Sequence, residues 1–110
     1  MDLPTASEEL RKFATSMFGE RSVSTLRFSA PDAIEISVST GDAVAGEVKI
    51  SLYDELNLQI AGMHFEYGPF TREGVDEVKR LLTAAGQGRL RKKKRQLFRM
   101  TVGYSLQIDD

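Results

Sequence analysis

The sequence predicts an α+β fold of two layers, in which two helices cover one face of a predominantly antiparallel five-stranded sheet. Apolar residues recur at helical spacing in two separate segments, near residues 10–18 and 75–85. Between and after these segments they alternate with polar residues, at the period of two that is typical of half-buried strands. We therefore expect the order α-β-β-β-β-α-β in a single domain spanning residues 1–110.

Both helices have a start signal, a stop signal and one apolar stripe. The first is expected to begin near Thr5 or Ser7, where Thr5 and Glu8 match a capping box, and to end at Gly19. The second is expected to be capped by Thr71 and to stop at Gly86. The stripes consist of Leu10, Phe13, Ala14, Met17 and Phe18 in the first helix and of Val75, Val78, Leu81, Leu82 and Ala85 in the second.

The segment between the helices predicts a four-stranded meander. In its first strand, Leu26 and Phe28 are expected to face the core and Thr25 and Arg27 to face outward. The second and third strands have apolar residues at even positions in the same way. These are Ile34, Ile36 and Val38, followed by Val48, Ile50 and Leu52.

The fourth segment of the meander, residues 56–67, changes phase. Its apolar residues lie at even positions up to Ile60 and at odd positions from Met63 onward. A regular strand cannot hold both sets on one face, because its side chains alternate with a period of two. We expect a β-bulge at Ala61-Gly62 to restore the phase and His64 to point into solvent.

The last strand has an unbroken alternation over residues 98–108, beginning at Phe98. An eleven-residue strand spans ~36 Å, which is long for a domain with a radius of gyration of ~13 Å. The strand must therefore bend, for example at Gly103, or project. A helical crossover would return it beside the first strand, which predicts the sheet order 5-1-2-3-4 with both helices on one face.

The composition describes an ordinary globular chain with an uneven distribution of charge. No cysteine is present, which excludes disulfides and thiolate chemistry, and the formal net charge is −1. The N-terminus has no signal-peptide pattern and no apolar run is long enough to cross a bilayer, so we expect a cytoplasmic protein without membrane association. Residues 89–99 hold seven basic residues and no acid, whereas the rest has eight basic residues against sixteen acidic ones, a formal charge of −8.

No residue pattern indicates catalysis, and we expect a protein that is not an enzyme and needs no cofactor or metal. His64 is the only histidine, and no nucleophile motif accompanies it. The carboxylate pairs are adjacent along the chain rather than opposed across a cleft, and the glycine-rich segments lack the lysine and hydroxyl of a P-loop.

The basic segment allows three interpretations. It could contact phosphates of a nucleic acid or an acidic partner, it could clasp the acidic surface of its own chain, or it could be a solvated loop. The acidic remainder and the pI near 5.9 argue against strong nucleic-acid binding. Its members are Arg89, Arg91, Lys92, Lys93, Lys94, Arg95 and Arg99.

A polar face of the predicted sheet is the second candidate surface. Short neutral side chains desolvate at lower cost than charges, so such a face can bury against a partner. The residues expected to form it are Ser37, Ser39, Ser51, Gln59, Thr101, Ser105 and Gln107.

These surfaces lead to two hypotheses of function. The first is a non-enzymatic protein-interaction domain that forms a homodimer through the long last strand or the polar sheet face, because an exposed strand edge is a template for another chain. The alternative is a nucleic-acid-associated accessory protein that uses residues 89–99. A third interpretation, a small-ligand cavity between the helices and a curved sheet, rests on the architecture alone.

Overall fold

The computed structural model describes residues 1–97 and 99–109 and confirms the α+β class. Five strands form one antiparallel sheet, and two more form a separate hairpin. The helices are α1 (Leu3–Phe18) and α2 (Arg72–Gly86), with a short 3₁₀ turn at Glu20–Ser22. The strands are β1 (Val23–Ser29), β2 (Asp32–Ser39), β3 (Glu47–Leu52), β4 (Leu56–Ile60), β5 (Met63–Glu66), β6 (Leu90–Leu97) and β7 (Met100–Ile108).

The sheet has the sequential order β1-β2-β3-β4-β5, so the predicted order 5-1-2-3-4 is wrong. The long last strand, β7, does not lie beside β1 but pairs with β6, which consists largely of the basic segment. A partner that is adjacent in sequence closes a short loop, whereas return to β1 would close a much longer one at greater entropic cost. Phe98, the predicted first residue of the last strand, lies outside the described residues.

The phase change in residues 56–67 comes from a tight turn rather than from a β-bulge. β4 and β5 are separate antiparallel strands, and Ile60 pairs directly with Met63 across Ala61-Gly62. Both turn residues have positive φ, 55° and 73°, as the favoured two-residue hairpin turns require. Such a turn joins an even position to an odd one, so Leu58 and Phe65 share a face, and the expected exposure of His64 is confirmed.

The orientation predicted for β1 is wrong for the same reason. The two-residue turn at Ala30-Pro31 pairs Ser29 with Asp32, which sets odd positions of β1 opposite even positions of β2. Thr25 therefore lies opposite the buried Ile36, on the helix side of the sheet. Leu26 and Phe28 lie on the other side, where 58% and 48% of their surfaces are exposed.

A single core lies between the sheet and the two helices, which confirms that both helices cover one face. Ala6, Leu10 and Ala14 of α1 and all five predicted stripe residues of α2 are buried in it, whereas Met17 of the predicted α1 stripe is exposed. Thr71 caps α2 as expected. The capping box predicted for α1 is wrong, because Asp2 caps this helix by accepting a hydrogen bond from the Thr5 amide, and Glu8 pairs with Arg11.

Candidate functional site

The hairpin of β6 and β7, here called the basic arm (residues 90–108), is attached to the body of the molecule by its base. Leu90 is fully buried, and Leu106 and Ile108 pack against the core. Beyond this base, the consecutive basic residues 91–95 are all exposed. The principal dimensions of the chain are 47 × 27 × 21 Å, and its Cα radius of gyration is 14.5 Å, above the ~13 Å of a compact domain of this length. The arm therefore projects, one of the two outcomes expected for so long a strand.

Basic side chains extend from both faces of the arm. Lys92 and Lys94 pair with Leu106 and Tyr104, and they share a face with the apolar base because they alternate with the same period as Leu90. The opposite face carries Arg91, Lys93 and Arg95, whose cross-strand neighbours are Gln107, Ser105 and Gly103.

The register shifts next to Gly103, where Gln96 pairs with Thr101 instead of with the residue that a regular ladder would align. This irregularity lies at the glycine where a bend of the last strand is expected. Arg99 follows in the turn at the far end, with a φ of 68°. The arm thus presents cations on two sides and at its tip.

Two basic residues near the base have structural partners. The Lys92 ammonium donates a hydrogen bond to the carbonyl of Ala61 over 2.8 Å and lies 4.6 Å from the ring centre of Tyr104. Arg91 forms a 2.8 Å ion pair with Asp109 and donates to the carbonyl of Gly88. Lys92 therefore attaches the arm to the β4–β5 turn, and Arg91 holds Asp109 beside the arm.

The remaining arm cations are not neutralised by the acidic body. Within residues 1–97 and 99–109, the side chains of Lys93, Lys94, Arg95 and Arg99 have no hydrogen bond or ion pair. The interpretation of the basic segment as a solvated loop is wrong in its conformation, since most of the segment is β6, although residues 91–95 are exposed to solvent. These four side chains likewise do not form a clasp onto the described part of the body.

The residues predicted to form one polar face are divided between two sheets. Ser37, Ser39, Ser51 and Gln59 lie on the face of the five-stranded sheet that is opposite the helices. Ser105 and Gln107 lie on β7, in the basic arm. The side chain of Thr101 is outside the described part of the structure. This division follows from the corrected strand order.

Neighbouring polar groups already pair on the open face of the sheet. Ser39 donates to Glu47 over 2.7 Å, Lys49 lies 3.5 Å from Glu35, and a ring nitrogen of His64 is 3.2 Å from the side-chain oxygen of Asn57. No group of three or more metal-ligating side chains occurs among the described residues. His64 thus has a local hydrogen-bond partner in Asn57.

The open face carries an apolar feature that sequence reasoning missed. Leu26 and Phe28 are exposed there on β1, which is an edge of the sheet. Every residue of β1 except Val23 is exposed. The length of the Ala30-Pro31 turn was the signal that could have revealed this orientation.

A shallow cleft of about 430 Å³ separates α1 from the helix side of β1. Arg11 and Arg27 are among the residues that line this cleft, but Arg11 forms an ion pair with Glu8 and Arg27 forms one with Asp32. The charged side chains that line this cleft are therefore already in ion pairs.

Comparison of the chain with known proteins identifies no relative. Neither described helix is long and apolar enough to cross a bilayer. No protein-family model matches the chain, and no curated protein or solved structure is significantly similar to it.

Proposed function

We propose that this protein binds duplex DNA through the basic arm. The single observation that carries the proposal is a projecting two-stranded antiparallel ribbon with consecutive exposed cations, Arg91 to Arg95, on both of its faces. Lysine and arginine gain affinity for DNA by displacing the counterions that are condensed on its phosphates. The major groove of B-form DNA is ≈ 12 Å wide and admits a two-stranded ribbon.

The geometry of the arm favours DNA over double-stranded RNA. A ribbon in a groove has a phosphate backbone on each side, and cations on both faces of the arm are suited to reach both backbones. The major groove of A-form RNA is deep and too narrow for side chains to read. A duplex RNA ligand would therefore contact fewer of these cations.

Screening reduces the repulsion of the acidic body most strongly toward the tip of the arm. From Lys92, where the arm leaves the β4–β5 turn, β6 reaches Arg95 after three residues, about 10 Å at 3.3 Å per residue, and Leu97 after five, about 17 Å. These distances are about one and two Debye lengths at physiological ionic strength, since that length is ≈ 8 Å. The charge of −8 outside residues 89–99 then weakens binding less than composition alone would suggest.

The test is a salt titration of DNA binding by an arm variant. Lys93→Gln, Lys94→Gln and Arg95→Gln together remove three exposed cations without a described partner and leave Lys92 in place. If all three contact phosphates, the plot of log affinity against log salt becomes less steep by about 2.7, at about 0.9 for each contact. Fluorescence anisotropy with labelled duplexes of unrelated sequence, between 50 mM and 200 mM salt, measures this slope.

The matched control is Lys12→Gln, Arg21→Gln and Lys49→Gln, which changes the net charge equally at exposed positions on the body. It should retain the slope of the wild-type protein. Equal losses in both variants, or no binding by the wild type at 50 mM salt, would contradict the proposal. Stronger binding to duplex RNA or to anionic vesicles than to DNA would assign the arm to that polyanion instead.

A second proposed function is self-association as a protein-interaction domain. The length of the last strand no longer supports self-association, because this strand pairs with β6. The observation that favours it is instead the exposure of the apolar residues of β1. An exposed strand edge is a template for pairing with another chain. Sedimentation equilibrium at micromolar concentration tests it, because a dimer has twice the 12.3 kDa mass of the chain.

A further inference from the structure

The two edge strands of the five-stranded sheet differ in how well they are protected against pairing with another chain. Edge strands in monomeric proteins are commonly short, or are interrupted by proline, bulges and charged side chains. β5 has only four residues, and it contains Glu66 and His64. β1 has seven residues in regular register with β2, and it contains no proline, no bulge and a single charge, Arg27.

The side chains of β1 add an apolar strip to this open edge. Leu26 and Phe28 point away from the helices, and 58% and 48% of their surfaces are exposed. Arg27 points to the helix side and lies 3.4 Å from Asp32, so the one charge of the strand has a partner within its own chain. The strand therefore offers unpaired backbone groups beside apolar surface, and its single charge lies on the opposite face.

We infer that two copies of this chain pair antiparallel through β1, which joins their sheets into one sheet of ten strands. This inference rests on the second proposed function, self-association, and is independent of DNA binding. A twofold axis at Leu26 places Leu26 opposite its own counterpart and Phe28 opposite Ser24 of the second copy. The interface is self-complementary, as a twofold dimer requires.

Charge selects this register over its neighbour. With the axis at Leu26, Arg27 lies opposite Thr25 of the second copy. Moving the axis by one residue to Arg27 would place two arginines directly opposite each other, which is destabilising. In the register centred on Arg27, Leu26 would lie opposite Phe28 of the second copy, so the arginine pair, and not the apolar contact, selects the register centred on Leu26.

The test is the substitution Leu26→Lys, which places two lysines opposite each other at the twofold axis. Because Leu26 is largely exposed in the monomer, the fold should tolerate the change, which circular dichroism checks. Loss of the apolar contact together with the like-charge pair should weaken the dimer at least about tenfold. Sedimentation equilibrium of the wild type and the variant measures this loss.

Two control substitutions examine the other surfaces from which a dimer was expected. Gln59→Lys adds the same charge to the open sheet face, and Gln107→Lys adds it to β7; both positions are exposed. If Leu26→Lys alone dissociates the dimer, the β1 interface is supported. If the dimer survives Leu26→Lys and is weakened by either control, self-association stands and the β1 interface is overturned. A wild-type chain that is monomeric at all accessible concentrations overturns both.

Hydrogen exchange of the wild-type protein gives a second readout that needs no variant. The backbone amides of β1 on the side away from β2 should exchange more slowly above the dissociation constant of the dimer than below it. Protection that is independent of concentration in β1, or that appears in β5 or β7 instead, contradicts the inference.

Discussion

At the scale of single residues, Glu9 joins the two helices. Its carboxylate accepts hydrogen bonds from the guanidinium of Arg72, with 2.9 Å between Nη2 and Oε1, and from the Lys79 ammonium over 2.7 Å. The Lys79 ammonium also lies 5.4 Å from the ring centre of Phe13 in α1. These hydrogen bonds, first from Arg72 and then from Lys79, lower the pKa of Glu9 from 4.5 to about 2.

We expect Glu9→Gln to lower the free energy of unfolding by about 1 kcal/mol at pH 7, the upper range for an ion pair that remains partly in solvent. Because the folded-state pKa is depressed, this contribution is complete above about pH 4.5 and is lost as the pH falls toward 2. Urea unfolding of both proteins across this range measures it. Glu55→Gln, in the exposed β3–β4 turn, is the control and should change stability little; a difference that persists at pH 2 would contradict the assignment.

At the scale of elements, the β4–β5 turn determines which residues face the core. Gly62 has a φ of 73°, in the left-handed region that disfavours a side chain. A Cβ at this position would have only the Lys92 ammonium nearby, at 3.6 Å, which is ordinary contact. Any cost of a side chain here is therefore conformational rather than steric.

Gly62→Ala should lower the free energy of unfolding by about 1 kcal/mol, the cost of left-handed backbone for a residue with a Cβ. Gly62→Asn should cost less, because asparagine tolerates this conformation. Chemical denaturation of the three proteins measures the ranking. Equal losses for both variants would indicate that contact with Lys92, and not backbone conformation, sets the cost.

The existence of most elements could be predicted from sequence, but the faces and neighbours of several could not. Alternation located β1 to β3, the residues of β4 and β5, and the last strand, as well as the exposure of His64, but it did not locate β6. It did not orient Phe28, because the side of the sheet on which a strand residue lies depends on the length of the turn that joins its strand to the next. A two-residue turn exchanges odd and even positions, and both wrong assignments, at Ala30-Pro31 and Ala61-Gly62, come from such turns.

The charge of the candidate site could be predicted from the sequence, but its conformation could not. The seven cations of residues 89–99 are evident in the sequence. Their β-conformation is not, since a run of Lys92, Lys93 and Lys94 carries no hydrophobic period. Strand pairing with the strongly alternating β7 imposes that conformation, a tertiary influence that local sequence does not record.

At the scale of the whole molecule, the body is stabilised by a core to which the basic arm contributes through its base. The core is formed by the helices, β2 to β4 and the base of the arm, with Leu90 as its fully buried residue from β6. Replacement of residues 93–105 by Asn-Gly would keep Lys92 paired with Leu106 through a two-residue turn.

We expect this shortened chain to remain folded, with a radius of gyration of about 13 Å, and to lose DNA binding. Small-angle X-ray scattering and thermal unfolding measure the first expectation, and anisotropy measures the second. Cooperative unfolding with no DNA binding is the expected combination. Loss of the folded state would show that the outer arm is required by the core, contrary to the separation described here.

The separation of a negative body from a positive arm gives the molecule a permanent dipole moment that is directed from the body to the arm. In the field of a polyanion, such a molecule experiences a torque before it makes any contact, because its two ends are pushed in opposite directions. It therefore rotates during diffusion until the arm leads, and a larger fraction of collisions is productive. For the proposed complex with DNA, added salt should slow association, because it shortens the range of this alignment.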